Sequence, residues 1–244
     1  MTSLTLHDLR HRFGDRPALD GLSLEVAPGE IVAMVGLNGA GKTTALRVLT
    51  GRLRPEQGTA RVLGADPAVL GTAAACRFGH VVGTALVSPD LAVTENVRTA
   101  ALLQGVARAD VPAASAAVVH RLDLSAWADA RARTLSAGNA QRLGIACAVV
   151  HGPSALVLDE PTSALDPRGV VLVRELVRSL ADEGAAVLVS SHHLDEVARV
   201  ADRVVVVHGG RDVGELAPGP EMEQRFFARV LAADAGTATP GAAA

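Results

Sequence analysis

The chain has 244 residues, 49% of them apolar, and a formal net charge of −3. This length allows one sizeable α/β domain with a smaller subdomain and argues against two independent domains. The weak negative charge gives no reason to expect a nucleic-acid partner. The longest apolar runs, such as residues 145–150, are too short to span a bilayer, and Cys76 and Cys147 lack the spacing of a zinc site or a disulfide framework. A reducing cytosol fits these features best.

The first part of the chain has the pattern of strands followed by a glycine loop and a helix. Alternating apolar and polar residues predict half-buried strands over 4–9 and 22–26, and the apolar run 31–35 predicts a buried strand. The apolar spacing after the glycine loop predicts a helix closed by Gly51, and residues 59–63 predict a further strand. Strand, glycine loop and helix is the order that phosphate binding requires.

The second part of the chain first turns helical and then returns to strands. Residues 94–150 are rich in alanine and arginine and favour helices. Short apolar strands are predicted over 155–158, 185–190 and 204–208, with a helix near 170–180 between the first two. An α/β core that is interrupted by a helical subdomain is therefore expected.

Gly36, Gly41, Lys42 and Thr43 match the pattern G-x-x-x-x-G-K-[ST] between a predicted strand and a predicted helix. Backbone N–H groups of such a loop and the helix N-terminus surround phosphates, and a compact ammonium reaches into the oxygen cage where a guanidinium would not fit. Lys42 is the only lysine in the chain, which agrees with this role. The other loop residues expected at the phosphates are Asn38, Gly39, Ala40 and Thr44.

A carboxylate pair follows the predicted strand 155–158. We expect Thr43 and Asp159 to hold Mg²⁺, because this ion prefers hydroxyl and carboxylate oxygens. Glu160 is then placed to orient or deprotonate the water that attacks the terminal phosphate. The two segments in this order predict phosphoryl transfer.

The segment LSAGNAQRLGIA lies between the phosphate loop and LVLDEPTSALD, and with these motifs nearly the whole chain resembles the ATP-binding cassette (ABC) family. The resemblance implies an α/β fold, with a P-loop NTPase (RecA-like) core, an N-terminal antiparallel β lobe and an inserted helical subdomain. It also implies that ATP is the nucleotide. Ser136 and Gly138 match the positions that contact the γ-phosphate of an ATP held by the opposite subunit.

Three further positions match family motifs. The resemblance implies that Asp166 of SALDP lies at the dimer interface, and that Phe13 stacks on adenine. It implies that His192, rather than His193, contacts the γ-phosphate and joins Glu160 and Lys42 as a catalytic residue.

The sequence departs from the family pattern at three places. Gly83 stands where relatives carry a glutamine that touches Mg²⁺ and the attacking water, so either another residue such as His80 replaces it or hydrolysis is slow. Ala137 replaces a glycine, which predicts backbone strain, and Asn139 replaces a glutamine.

The resemblance implies an ATPase subunit that drives a separate membrane-spanning permease, as a homodimer or a pair of ATPase subunits on the cytoplasmic face of the membrane. Segments such as TGRLRPEQGTARVLG most resemble exporters. The alternatives are a low-turnover nucleotide-gated ABC module and a soluble ABC ATPase without a transport role. A small-molecule kinase would not need the LSAG and SALD segments.

The expected organisation is an ATPase domain over 1–217, whose core comprises 1–83 and 151–217 around a helical subdomain at about 84–150. A C-terminal helix over 218–231 and a disordered tail over 232–244 follow.

Overall fold

The computed structural model describes residues 3–219 and 221–237. Within these ranges the chain forms nine strands and eight α-helices. The strands are β1 (Leu4–Phe13), β2 (Arg16–Val26), β3 (Ile31–Val35), β4 (Gln57–Val62), β5 (Phe78–Val81), β6 (Ala155–Asp159), β7 (Ala186–Ser191), β8 (Arg203–His208) and β9 (Arg211–Leu216). The helices are α1 (Lys42–Leu49), α2 (Thr72–Ala75), α3 (Val93–Leu103), α4 (Val111–Arg121), α5 (Ala137–Val149), α6 (Pro167–Asp182), α7 (Leu194–Val197) and α8 (Met222–Thr237).

An antiparallel sheet in the order β2-β1-β4 forms the N-terminal lobe. Leu4 pairs with Val26 on one side and Val62 on the other, and all three side chains are fully buried. They belong to a cluster that also contains the apolar face of α1, so burial of alternate residues attaches this lobe to the phosphate-loop helix.

A second sheet forms the core, in the order β5-β6-β7-β3-β8-β9. The first five of these strands run parallel and only β9 is antiparallel. Every residue of β3 is buried, because this strand lies at the centre of the sheet with cluster residues on both faces. The carboxyl ends of β3, β6 and β7 therefore meet along one edge, where ligands bind in open α/β sheets.

Helices α3, α4 and α5 lie between β5 and β6 in the chain and pack on one another. Their contacts are apolar: Val97, Val119 and Leu143 are buried within the same cluster as one face of the large sheet. These helices match the inserted helical subdomain that the sequence predicts. None of the helices in the described ranges combines the length and apolar character needed to cross a bilayer.

The differences from the sequence-based prediction include two strands, β5 and β9, and the C-terminal boundary of α8. β5 and β9 were not predicted, because each is short and contains a glycine, Gly79 or Gly214. At Gly79 a Cβ atom would lie 2.2 Å from the backbone oxygen of Ala148, so close packing against α5 demands glycine. Helix α8 begins at Met222 and continues to Thr237, so residues 232–237 are helical and the predicted tail starts too early. Residues 238–244 lie outside the described residues.

Candidate active site

The phosphate loop connects the central strand β3 to α1. At Gly41, whose φ is 109°, a Cβ atom would lie 2.5 Å from the backbone oxygen of Ala18. At Gly36 it would lie 2.3 Å from the backbone oxygen of Val207. Both positions therefore require glycine. No side chain caps the N-terminus of α1 and its first turn carries no acidic residue, which leaves backbone N–H groups and the positive end of the helix dipole for an anion.

Lys42 is the first residue of α1 and is only 7% exposed. Its Nζ donates a hydrogen bond to the backbone oxygen of Gly36 at 2.6 Å and lies 3.9 Å from Oε1 of Glu160. Burial lowers the pKa of Lys42 below its usual value, while the carboxylates of Glu160 and Asp159 oppose this shift. A buried ammonium without a full counter-charge is suited to receive phosphate oxygens.

Asp159 ends β6 and faces the hydroxyl of Thr43. The distance from Thr43 Oγ1 to Asp159 Oδ1 is 3.3 Å, and the same carboxylate oxygen accepts a hydrogen bond from Ser190 Oγ at 2.6 Å. The pair supplies the hard oxygen ligands that Mg²⁺ prefers, so the donor set fits this ion. Ser190 is a residue of the site that the sequence analysis missed, and its signal was the SSHH run at the end of a predicted strand.

Glu160 has a φ of 49°, a left-handed conformation that is rare for a residue with a side chain. Its N–H donates to the hydroxyl and the backbone oxygen of Ser190, at 3.0 and 3.2 Å, which holds the backbone in this conformation. Its Oε2 lies 2.8 Å from Nδ1 of His192, which follows β7. The carboxylate of Glu160 thus lies close to both Lys42 and His192.

A cavity of about 420 Å³ lies over the phosphate loop. Phe13, at the end of β1, is 51% exposed and forms part of the cavity wall together with Glu160. Arg16 also lines the cavity and was not predicted. The loop residues in its wall are Asn38, Gly39, Ala40, Gly41, Lys42, Thr43 and Thr44. A nucleotide in this cavity would therefore meet both an aromatic ring and the lysine.

The LSAG and SALD segments lie apart from this cavity, since none of its lining residues in the described ranges belongs to them. Ser136 caps α5 and accepts a hydrogen bond from the N–H of Asn139 at 3.3 Å, and Asp166 caps α6 in the same way through Gly169 at 2.8 Å. Gly138 packs on the backbone of Ala164: a Cβ atom at position 138 would lie 2.9 Å from the backbone oxygen of Ala164.

The prediction of backbone strain at Ala137 was wrong. This residue is the first of α5 and does not have a positive φ.

Comparison with known proteins identifies the family. The ABC transporter family matches residues 19–163, which is more than half of the chain. The chain belongs to the ABC transporter family. An ABC relative, the Nod factor export ATP-binding protein I of Paraburkholderia xenovorans (strain LB400), is 37% identical over 86% of this chain and 69% of its own length. The daunorubicin resistance ATP-binding protein DrrA3 of Streptomyces coeruleorubidus is 37% identical over 88% of this chain and 68% of its own length.

The fold agrees with this membership. A solved ATP-binding subunit of an ABC transporter superposes with a TM-score of 0.83 and 27% identity, over 94% of this chain and 95% of the other. The predicted P-loop fold class is confirmed. The prediction of an ABC-type ATP hydrolase that powers a membrane transporter is also confirmed. The roles of individual site residues stay predictions.

The position of the missing family glutamine is an exposed turn after β5. Gly83 has a φ of 68°, and nothing lies within 4 Å of where its Cβ atom would be. The sequence analysis suggested His80 as a substitute, but its ring stacks on Phe78 with centroids 5.3 Å apart, and burial lowers its pKa to about 4. In the described part of the chain His80 does not line the nucleotide cavity, so the structure does not support this substitution.

We expect Gly83→Ala to lower the free energy of unfolding by about 1 kcal/mol, because alanine at positive φ is strained even where space is free. The matched control is Gly71→Ala: Gly71 also has open space around its Cβ position but has a φ of −70°. Chemical denaturation of both variants measures the difference. Equal stability of the two variants would contradict a left-handed turn at position 83.

We expect His192→Ala to lower turnover by about 100-fold, because removal of a group that holds a general base affects the chemical step. His193→Ala is the matched control: the centroids of the two rings lie 4.0 Å apart, and of these two histidines it is His192 that contacts Glu160. Steady-state ATP hydrolysis of both variants is the measurement. A larger loss in His193→Ala would reverse the assignment of the two histidines.

Proposed function

We propose that the chain works as a dimer in which each ATP is held by the phosphate loop of one copy and the LSAG segment of the other. The observation that carries this proposal is that the phosphate loop and the LSAG segment of one described chain do not line the same cavity. The nucleotide cavity lies over α1, whereas the N-terminus of α5 with Ser136 does not line it. A second copy arranged head to tail would supply the missing helix N-terminus to the γ-phosphate.

In the proposed site Thr43 and Asp159 hold Mg²⁺, which neutralises charge on the phosphates when bound. Lys42 donates to phosphate oxygens, and Phe13 stacks on the adenine. Glu160 orients the attacking water and accepts its proton, and His192 keeps the Glu160 carboxylate in place through the 2.8 Å contact. Hydrolysis removes the γ-phosphate that joins the two copies, so the dimer reopens.

We propose that this cycle drives a membrane-spanning partner subunit from the cytoplasmic face of the membrane. Large exposed apolar side chains support a docking surface: Leu86, three residues after Gly83, and Leu103, at the end of α3, are more than 70% exposed. Gly105 follows α3, and a Cβ atom built at this position would lie 3.1 Å from Sγ of Cys76. The end of α3 therefore lies beside the segment that precedes β5. The names of the relatives support export as the direction of transport.

The experiment that tests the shared site mixes two inactive variants. Lys42→Ala removes the phosphate-loop contact and Ser136→Arg blocks the N-terminus of α5. In a head-to-tail dimer, a mixed pair has one composite site with both halves intact, so we expect ATP turnover to return on mixing. Turnover per mole of wild-type chain should also rise with protein concentration.

The control mixes Lys42→Ala with the double variant Lys42→Ala/Ser136→Arg, where no composite site is intact and no turnover is expected. If the first mixture stays as inactive as this control, and wild-type turnover per mole does not depend on concentration, the shared site is wrong. ATP binding without turnover in the wild type would favour the low-turnover module instead.

A further inference from the structure

A second cavity of about 380 Å³ lies between α6, the end of β7 and α7, away from the phosphate loop. Valine is the commonest residue in its walls, contributed by α6, β7 and the α7 region. The valines are Val170, Val171, Val173, Val177, Val189, Val197 and Val200. Val170, Val173 and Val177 share one face of α6; Val173 and Val177 belong to the buried core cluster and Val170 is half-buried, so this face runs from the core to the cavity. The volume is at the lower end of the range for small-molecule sites.

Two arginines, Arg174 on α6 and Arg199 after α7, contribute to the lining of this apolar space. Among the described residues, no carboxylate lies within ion-pair distance of either guanidinium. Arg178, one turn further along α6, differs because it has carboxylate partners. Arg178 contacts Asp202 at 2.9 Å and Asp182 at 3.9 Å. The cavity therefore combines apolar walls with two positive charges that the described chain does not neutralise.

The cavity has one acidic side chain in its described lining, Glu196. The hydroxyl of Thr162 donates a short hydrogen bond to Oε2 of Glu196. This hydrogen bond fixes the Glu196 carboxylate but leaves its negative charge, so the described lining carries two positive charges and one negative charge and is positive overall.

From this combination we propose that the cavity binds a small amphipathic anion, with an apolar body among the valines and a carboxylate or similar head at Arg174 and Arg199. The limited volume favours a single short alkyl chain or a small ring system over a two-chain lipid. The bound anion would lie against Thr162 and Ser191, which neighbour the segments that carry Glu160 and His192. This site is independent of the composite nucleotide site proposed above.

Isothermal titration calorimetry of the full chain with sodium decanoate, below its micelle concentration, tests the proposal. We expect saturable binding of one decanoate per chain and much weaker binding of decylamine, which has the same chain and the opposite charge. The double variant Arg174→Gln/Arg199→Gln should lose at least about tenfold in decanoate affinity, because two charge-assisted contacts are removed.

The matched control is Arg98→Gln/Arg108→Gln, which makes the same change in net charge at exposed positions on and after α3. It should bind decanoate as the wild type does. Val170→Phe, which fills the cavity from a half-buried position, should reduce binding without any change of charge. ATP affinity, measured for every variant, verifies that the chain is folded.

Three results would overturn the proposal. These are no saturable decanoate binding by the wild type, equal affinity of the two double variants, and decylamine affinity equal to that of decanoate. None of these outcomes depends on ATP turnover, so the anion site and the dimeric ATPase can fail separately.

Discussion

Glu160→Gln should reduce ATP turnover by about 10²- to 10⁴-fold, the usual contribution of a general base, while ATP affinity remains close to that of the wild type. Glutamine keeps the shape of the side chain but cannot accept the proton of the attacking water. Its amide can still contact Nδ1 of His192, which lies 2.8 Å from the carboxylate. Steady-state hydrolysis and equilibrium binding of ATP separate the two effects.

Because hydrolysis is what reopens the proposed dimer, Glu160→Gln with ATP should also accumulate as a dimer in analytical ultracentrifugation. Asp195→Asn is the matched control: this carboxylate is exposed and close in sequence to His192, but it does not line the nucleotide cavity. Its turnover should be that of the wild type. Unchanged turnover in Glu160→Gln would remove Glu160 from the reaction.

Lys42→Ala should weaken ATP binding by about 10- to 100-fold, because charge-assisted hydrogen bonds to the phosphates contribute about 1.5–3 kcal/mol. Lys42→Arg should not restore affinity, since a planar guanidinium does not fit the narrow loop beside Gly36 and Gly41. The measurement is ATP affinity by calorimetry for the three chains.

The stability of Lys42→Ala distinguishes a binding defect from a folding defect. Burial lowers the pKa of Lys42, so the charged form is less favourable in the folded chain than in the unfolded chain. Below the folded-state pKa this burial opposes folding, and alanine removes the effect. We therefore expect an unchanged or higher thermal midpoint without ATP. A clear fall in the midpoint would assign Lys42 a structural role instead.

Much of the fold follows from local patterns in the sequence. The predicted strand 31–35 coincides with β3, because a strand that is apolar on both faces is stable only when both faces are buried. Alternation identified β1 and β2 but ended β1 early, at residue 9, and started β2 late, at residue 22, since polar and charged residues extend both strands at the hairpin that joins them. The continuation of α8 beyond residue 231 could not be predicted, because it accompanies a contact between Asp234 and Nε2 of His208 on β8, at 2.7 Å, and these residues are far apart in the sequence.

The motif residues of the site were predicted, but the contacts that hold them were not. Ser190 reaches Asp159 because β6 and β7 pair in a register that places these two residues side by side. That register is a long-range property of the sheet and leaves no pattern in the neighbouring sequence. Family resemblance identified Phe13, and the structure adds that its ring is at the cavity wall.

The central place of β3 has a consequence for the dynamics of the nucleotide site. This strand is paired on both sides, with β7 and β8, and all of its residues are buried. Its amide hydrogens should exchange with solvent only through global unfolding, whereas those of the loop residues 37–39, which are exposed, exchange in the native state. The N-terminal end of the phosphate loop is thus attached to a strand whose amide hydrogens exchange most slowly. Nucleotide can therefore leave repeatedly without loss of the loop's shape.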